Sequence, residues 1–161
     1  MPFQPAVNVA AGRLLAGVLS MLPVASAQSA LPATSDDSEV RPPVTSVDLG
    51  IVRRAREIMA SAAVWNRADN RQCPPVATTF SLYCALQKAT IEAGRTFEHR
   101  GAALQEVRFV VDEVSADRDY DHRLMDYNND PRTSLADVQQ VLHIAEELIA
   151  LRLGSTPAAR P

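Results

Sequence analysis

Four oxygen-bearing side chains near the C-terminus fall at spacings that could wrap a cation. Asp126, Asn128, Asp130 and Asp137 stand at positions 1, 3, 5 and 12 of a D-x-N-x-D stretch, the pattern by which calcium loops converge carboxylate and amide oxygens. Position 6, however, is Pro131, and proline's φ is locked where such loops need the sharp turn of glycine. Position 8, usually aliphatic in the motif, is Thr133, and Asp117, Asp119 and Asp121 make a second, overlapping match. So acidic a stretch generates the spacing readily. The same residues also read as the start of a helix. Ser134 serves as N-cap with Asp137 three residues on as its capping-box partner, Pro131 holds Asp130 extended, and Asn128-Asn129 are turn formers. Helix initiation is the preferred reading, a calcium-stabilised module is the alternative, and neither a metal nor another cofactor is expected.

A second chemistry would use sulfur. Cys84 with His99, His122 or His143 has the residue types of a nucleophile and its base. The three histidines show no H-E-x-x-H or comparable ligand spacing. The only other cysteine is Cys73, and an even number of cysteines in an exported chain points to one disulfide. The expected pairing is Cys73 with Cys84, a closure of about twelve residues that contributes about 3 kcal/mol on the chain-entropy model. A thiol enzyme at Cys84 is the least favoured reading, and no catalytic residue is assigned.

Export is itself an expectation from the first residues. Arg13 is followed by an uncharged apolar run from Leu14 to Val24 and then by Ala25-Ser26-Ala27, the order of a secretory signal peptide cut after Ala27. At about eleven residues that run is too short to span a bilayer. The product is expected to be periplasmic or secreted, with no stable membrane insertion after cleavage.

Charge argues against nucleic acid. The chain has 16 basic and 19 acidic residues, a net charge of −3; Lys88 is its single lysine, and the arginines are scattered rather than striped along one face. The acids gather instead, from Asp112 to Asp130. A protein or small ligand is the expected partner.

These residues must be positioned by helices. Residues 28–45 are rich in Ser, Pro and acid and read as a flexible linker. A helical domain is expected over 46–154. Its first helix is capped by Ser46 and carries Ile51, Val52, Ala55, Ile58, Met59 and Ala62 on one face. Residues 63–75 form a loop. A second helix, capped by Thr78 or Thr79, has Leu82, Leu86 and Ala89 in one row and Phe80, Cys84, Gln87 and Ile91 in the next, and ends before Gly94. A third runs from His99 to Val114; its β-branched "VRFVV" also fits a buried strand, but the 3–4 spacing over four turns favours helix. The last runs from Leu135 to Leu153, stops at Gly154 and leaves 155–161 as a disordered tail. The expected fold class is all-α, a small bundle of about four amphipathic helices with one disulfide. Trp65, the only tryptophan, is expected to anchor the core.

Three segments, "WNRADNRQC", "YCALQKA" and "YNNDPRTSLADVQQVLHIAEE", together resemble a family of small bacterial and phage helical proteins known as a domain of unknown function. The resemblance covers Val52 to Ile149, and Trp65, Cys84, Asn128, Pro131 and Thr133 are the matching positions. Asn129 stands where the pattern tends to have Asp, and the leader and Cys73 are additions to it. The resemblance implies that the Asn-Asn-Asp-Pro turn meets Trp65 and Cys84 in space. Trp65, Asn128, Asn129, Asp130 and Thr133 would then form a small polar site or a structural corner. Function is expected to be that of an exported, non-catalytic binding or accessory protein.

Overall fold

The computed structural model describes residues 41–155. The expected leader and residues 28–40 of the expected linker lie outside them, as do residues 156–161. Five helices follow in order: α1 (Ser46–Ile58), α2 (Leu82–Glu92), α3 (Ala102–Val114), α4 (Arg123–Asn129) and α5 (Leu135–Ser155). Among the described residues there is no strand, only an isolated parallel bridge between Trp65 and Phe80. No helix among them is long and apolar enough to cross a membrane. The fold is all-α.

Helix α1 occupies the middle, against α5, α2 and α3, while α4 is held between α3 and α2. The faces that meet are those set by the 3–4 spacing. Val52 and Ala55 of α1 and its C-cap Met59, Leu82 and Leu86 of α2, Val107, Val110 and Val111 of α3, and Val138, Leu142 and Ile149 of α5 are all fully buried. Each of the larger of these side chains contributes roughly 1.5–3 kcal/mol of transfer free energy. The ambiguous "VRFVV" stretch is helical because Val107, Val110 and Val111 share one buried face with Leu104.

Several helix ends differ from the sequence reading. Thr45, not Ser46, caps α1; its Oγ1 accepts from Asp48 N–H at 3.4 Å while Asp48 Oδ2 accepts from Thr45 N–H at 2.8 Å. Ser81, rather than Thr78 or Thr79, caps α2. Phe80 lies before that helix and Ile91 is 58% exposed, so the second apolar row is an edge. At its other end Gly94 adopts φ +70°, with Gly94 N–H on Ile91 O and Arg95 N–H on Thr90 O, the paired bonds of a Schellman stop. Helix α3 starts at Ala102, three residues after His99. Helix α5 continues through Gly154 to Ser155. The capping box at its start has the expected form, Ser134 N–H donating to Asp137 Oδ2 at 2.8 Å and Asp137 N–H to Ser134 Oγ at 3.2 Å.

Two departures concern whole segments. Residues 123–129, expected to be loop and turn, form α4. Residues 41–45 are engaged with the domain: Arg152 donates to Pro42 O at 2.6 Å, and half-buried Val44 packs on the core.

Candidate functional site

The chain between α1 and α2 is long, irregular and closely tied down. Three side chains shape it as successive Asx turns. Asn66 Oδ1 accepts from Ala68 N–H at 2.9 Å, Asp69 Oδ1 from Arg71 N–H at 2.7 Å, and Asn70 Oδ1 from Gln72 N–H at 3.0 Å. Arg71 sits at φ +60°, a left-handed conformation that costs an L-residue roughly 1–2 kcal/mol. The bond to Asp69 helps to hold it there.

What fixes this loop to the body is α4. Asn128 is fully buried. Its Oδ1 accepts from Trp65 Nε1 and from Leu82 N–H, both at 3.0 Å, and its Nδ2 donates to Asn66 O at 2.9 Å and Asn129 Oδ1 at 3.2 Å. Two donors and two acceptors saturate the amide, so one orientation alone fits. Next to it, Asn129 pairs with the backbone of Asp69 as a neighbouring strand would, accepting from Asp69 N–H and donating to Asp69 O, each at 2.8 Å. Arg67 lies over the Trp65 ring at 4.9 Å and donates to Asp130 O and Thr133 O at 2.9 and 3.0 Å. Trp65 is thus half-buried and hydrogen-bonded at the edge of the core rather than sunk in it.

Asp130 and Thr133 belong to an adjoining network. Asp130 accepts from Arg132, through side chain and backbone, and from Tyr120 Oη at 2.8 Å. Arg118 Nη1 donates to Tyr120 Oη and Thr133 Oγ1. The Arg132 guanidinium and N–H hold the Asp130 carboxyl well below the usual carboxylate range, with the Tyr120 hydroxyl adding to the effect. Burial pushes Tyr127, underneath, up to about 12, with the Asp137 charge contributing.

The four oxygens considered for calcium turn to different partners. Asp126 Oδ2 accepts from His122 N–H at 2.7 Å, Asn128 is saturated as above, Asp130 faces Arg132 and Tyr120, and Asp137 caps α5. Among the described residues no three His, Cys, Asp or Glu side chains gather as a metal would require.

Cys84 is joined to Cys73 by a disulfide, so it carries no thiol. The histidines engage elsewhere: His99 Nδ1 lies 3.1 Å from Tyr83 Oη, His143 Nε2 3.5 Å from Glu147, and His122 is the residue before α4. The corner made by Asn128 meets the first turn of α2 at Leu82, two residues before Cys84. Beside the disulfide a groove of about 610 Å³ separates the loop from α2, walled by Asn70, Gln72, Phe80, Gln87 and Lys88 among others.

One group escaped the sequence reading. Glu106, on the inner face of α3, is fully buried and ion-paired with Arg152 of α5, while Arg41 Nη1 approaches its other oxygen at 3.4 Å. A single acid within the 103-107-110 row was the signal available.

The family model described as "Family of unknown function (DUF6197)" matches residues 44–148. The chain belongs to that family. The match spans the loop, the groove and the Asn128 corner, whereas Arg41 and Arg152 fall outside it. No curated protein and no solved structure matches the chain.

Proposed function

We propose that the chain is an exported, non-catalytic binding module, periplasmic or secreted, that receives a small uncharged ligand in the groove between the loop and α2. The observation that carries this reading is the Cys73–Cys84 disulfide. It takes up both cysteine sulfurs, Cys84 among them, and it fits a compartment where cystines persist. It also joins the groove's two walls.

The groove's size, about 610 Å³, is in the range of small-molecule sites. Its polar lining is rich in amides, and its two charges, Lys88 and Glu92, are paired at 2.8 Å, with Glu92 also held by Arg54 at 2.7 Å. An uncharged ligand rich in hydrogen-bonding groups suits such a wall better than an anion or a cation.

The test is the intact mass of the natively expressed chain, followed by an NMR screen of neutral amide and polyol fragments. A start at Gln28, a deficit of two hydrogens and shifts confined to residues 66–92 support the reading. A chain retaining Met1 in the cytosol with two alkylatable thiols, or fragments that shift other surfaces, would overturn it.

A further inference from the structure

We propose that Cys73 is a site of covalent exchange with thiols, so that the Cys73–Cys84 disulfide opens to an incoming thiolate while the domain stays folded. The two sulfurs are placed unequally. Cys84 is 7% exposed in the first turn of α2, whereas Cys73 is only partly buried, on the loop. A thiolate arriving from solvent therefore meets Cys73 first.

Cys84 is the group expelled by that attack. It is the third helical residue after the N-cap Ser81, whose Oγ accepts from Cys84 N–H at 3.2 Å. A thiolate released there lies in the first turn, at the positive end of the α2 dipole, where Leu82 N–H and Cys84 N–H are already taken by Asn128 Oδ1 and Ser81 Oγ, so the dipole rather than a free donor stabilises it. Helix N-termini stabilise thiolates, and better-stabilised thiolates leave faster. Inner placement and leaving-group quality select the same direction of exchange.

Sulfur is conserved through each step. A thiolate forms a bond to Cys73 Sγ as the bond between Cys73 and Cys84 breaks, giving a mixed disulfide on Cys73 and a thiolate on Cys84. A second thiolate then attacks the outer sulfur, the bond from that sulfur to Cys73 Sγ breaks, and Cys73 is released as a thiolate while the two carrier sulfurs leave joined as the oxidised carrier, so two electrons pass from the thiol pair to the protein. The reductant is a low-molecular-weight thiol or a dithiol protein.

The consequence is local because the loop is tethered twice. Residues 65–69 are held to α4 through Trp65 and Asp69, and to the turn that follows it through Arg67. Beyond them the disulfide is the covalent tie, and the next backbone anchor is Phe80, whose N–H donates to Val64 O at 2.7 Å. Within 74–79 the bond from Ala77 N–H to Pro74 O is internal to the segment. Opening the disulfide frees residues 72–79, one wall of the groove, and leaves the corner in place. This does not depend on whether the groove binds a ligand or the chain is exported.

The experiment treats the oxidised full chain with reduced glutathione in native buffer, traps thiols with N-ethylmaleimide and maps the peptides. Glutathione on Cys73 and maleimide on Cys84 are expected. Hydrogen exchange of the trapped adduct should rise by at least about tenfold in 72–79, with 65–69 and α4 unchanged. Glutathione on Cys84, no adduct below denaturing urea, or accelerated exchange throughout the domain would overturn the proposal. A Cys73→Ser variant adds an independent reading: alkylation of Cys84 should titrate below the free-cysteine value of about 8.5, and a midpoint at or above it would remove the leaving-group argument.

Discussion

Trp65 and Asn128, 63 positions apart, meet through a single hydrogen bond of 3.0 Å from the indole Nε1 to the amide Oδ1. That oxygen also accepts from Leu82 N–H, so one buried atom joins the loop, the start of α2 and α4. Truncating Asn128 removes all of these bonds together and leaves buried donors behind. Asn128→Ala is expected to destabilise by about 3 kcal/mol, because unsatisfied buried groups forfeit more than a hydrogen bond's net worth. Trp65→Phe deletes one donor and keeps most of the ring, and should cost about 1 kcal/mol. Urea unfolding with unchanged m-values measures both. An Asn128→Ala midpoint no lower than that of Trp65→Phe would mean the amide is not the keystone.

Glu106 raises a different question, since its charge is buried and the guanidiniums that neutralise it reach solvent, Arg152 at 30% and Arg41 at 40% side-chain exposure. Glu106→Ala leaves a hole and removes the buried carboxylate that both arginines face, and about 3 kcal/mol of stability should be lost, the low end for breaking a buried pair because both guanidiniums reach solvent. Replacing both partners with apolar groups, Glu106→Leu with Arg152→Leu, should return to within about 1 kcal/mol of the parent. A Glu106→Ala loss within about 0.5 kcal/mol, as at an ordinary surface position, would show that the pair contributes nothing.

The helix faces were legible because the spacing of Val138, Val141, Leu142, Ala145 and Ile149 needs only one buried side, and the structure has one. Boundaries were less legible. Thr45 and Ser46 are both capping residues, and the feature that separates them is Asp48, three positions after Thr45, which completes the capping box. Helix α4 could not be read from its own residues: seven residues are too few to hold a helix in isolation, and Leu124, Tyr127 and Asn128 are helical because α2 and α3 bury them. Nothing local in "YNND" announces an indole 63 residues away, so the bond between Trp65 and Asn128 is not legible in the spacing. The same holds for Glu106, its partners lying 65 and 46 positions off.

Acid should act on the carboxylates whose folded-state values are depressed. Asp130 is held down by Arg132, Asp137 by Ser134, and Glu92 by Arg54 and then Lys88. A carboxyl with a lowered folded value contributes stability above its unfolded value of about 4, and that contribution is lost as pH falls below it. Urea midpoints should therefore be flat from these groups near neutrality and fall below pH about 4. Asp130→Asn should flatten that fall. At the other end Tyr127 titrates at about 12 in the folded state, against about 10 unfolded. Stability it contributes is present below about 10 and is lost as pH rises through the folded value. Burial also raises Tyr83 and Tyr120, so ultraviolet difference titration should show a late tyrosine ionisation as the protein unfolds in alkali; Tyr127→Phe should reduce that late step, and an undiminished late step would assign it elsewhere.

Calcium addresses the pattern at Asp126, Asn128, Asp130 and Asp137 directly. An ion held by all four would have to recruit Asp126 from His122 N–H, Asp130 from Arg132, Asp137 from the cap of α5 and Asn128 from the indole. Each exchange gives up a formed, partly charge-assisted bond before any coordination is gained. Helix geometry adds to the difficulty, since Asp126 and Asn128 are two residues apart on α4 and residues so spaced point to different sides of a helix. Melting with millimolar calcium and with chelator should give the same midpoint. A ligand that binds only the folded state raises that midpoint by mass action, so a calcium-dependent rise of several degrees that Asp126→Ala abolishes would mean that the corner reorganises around the ion.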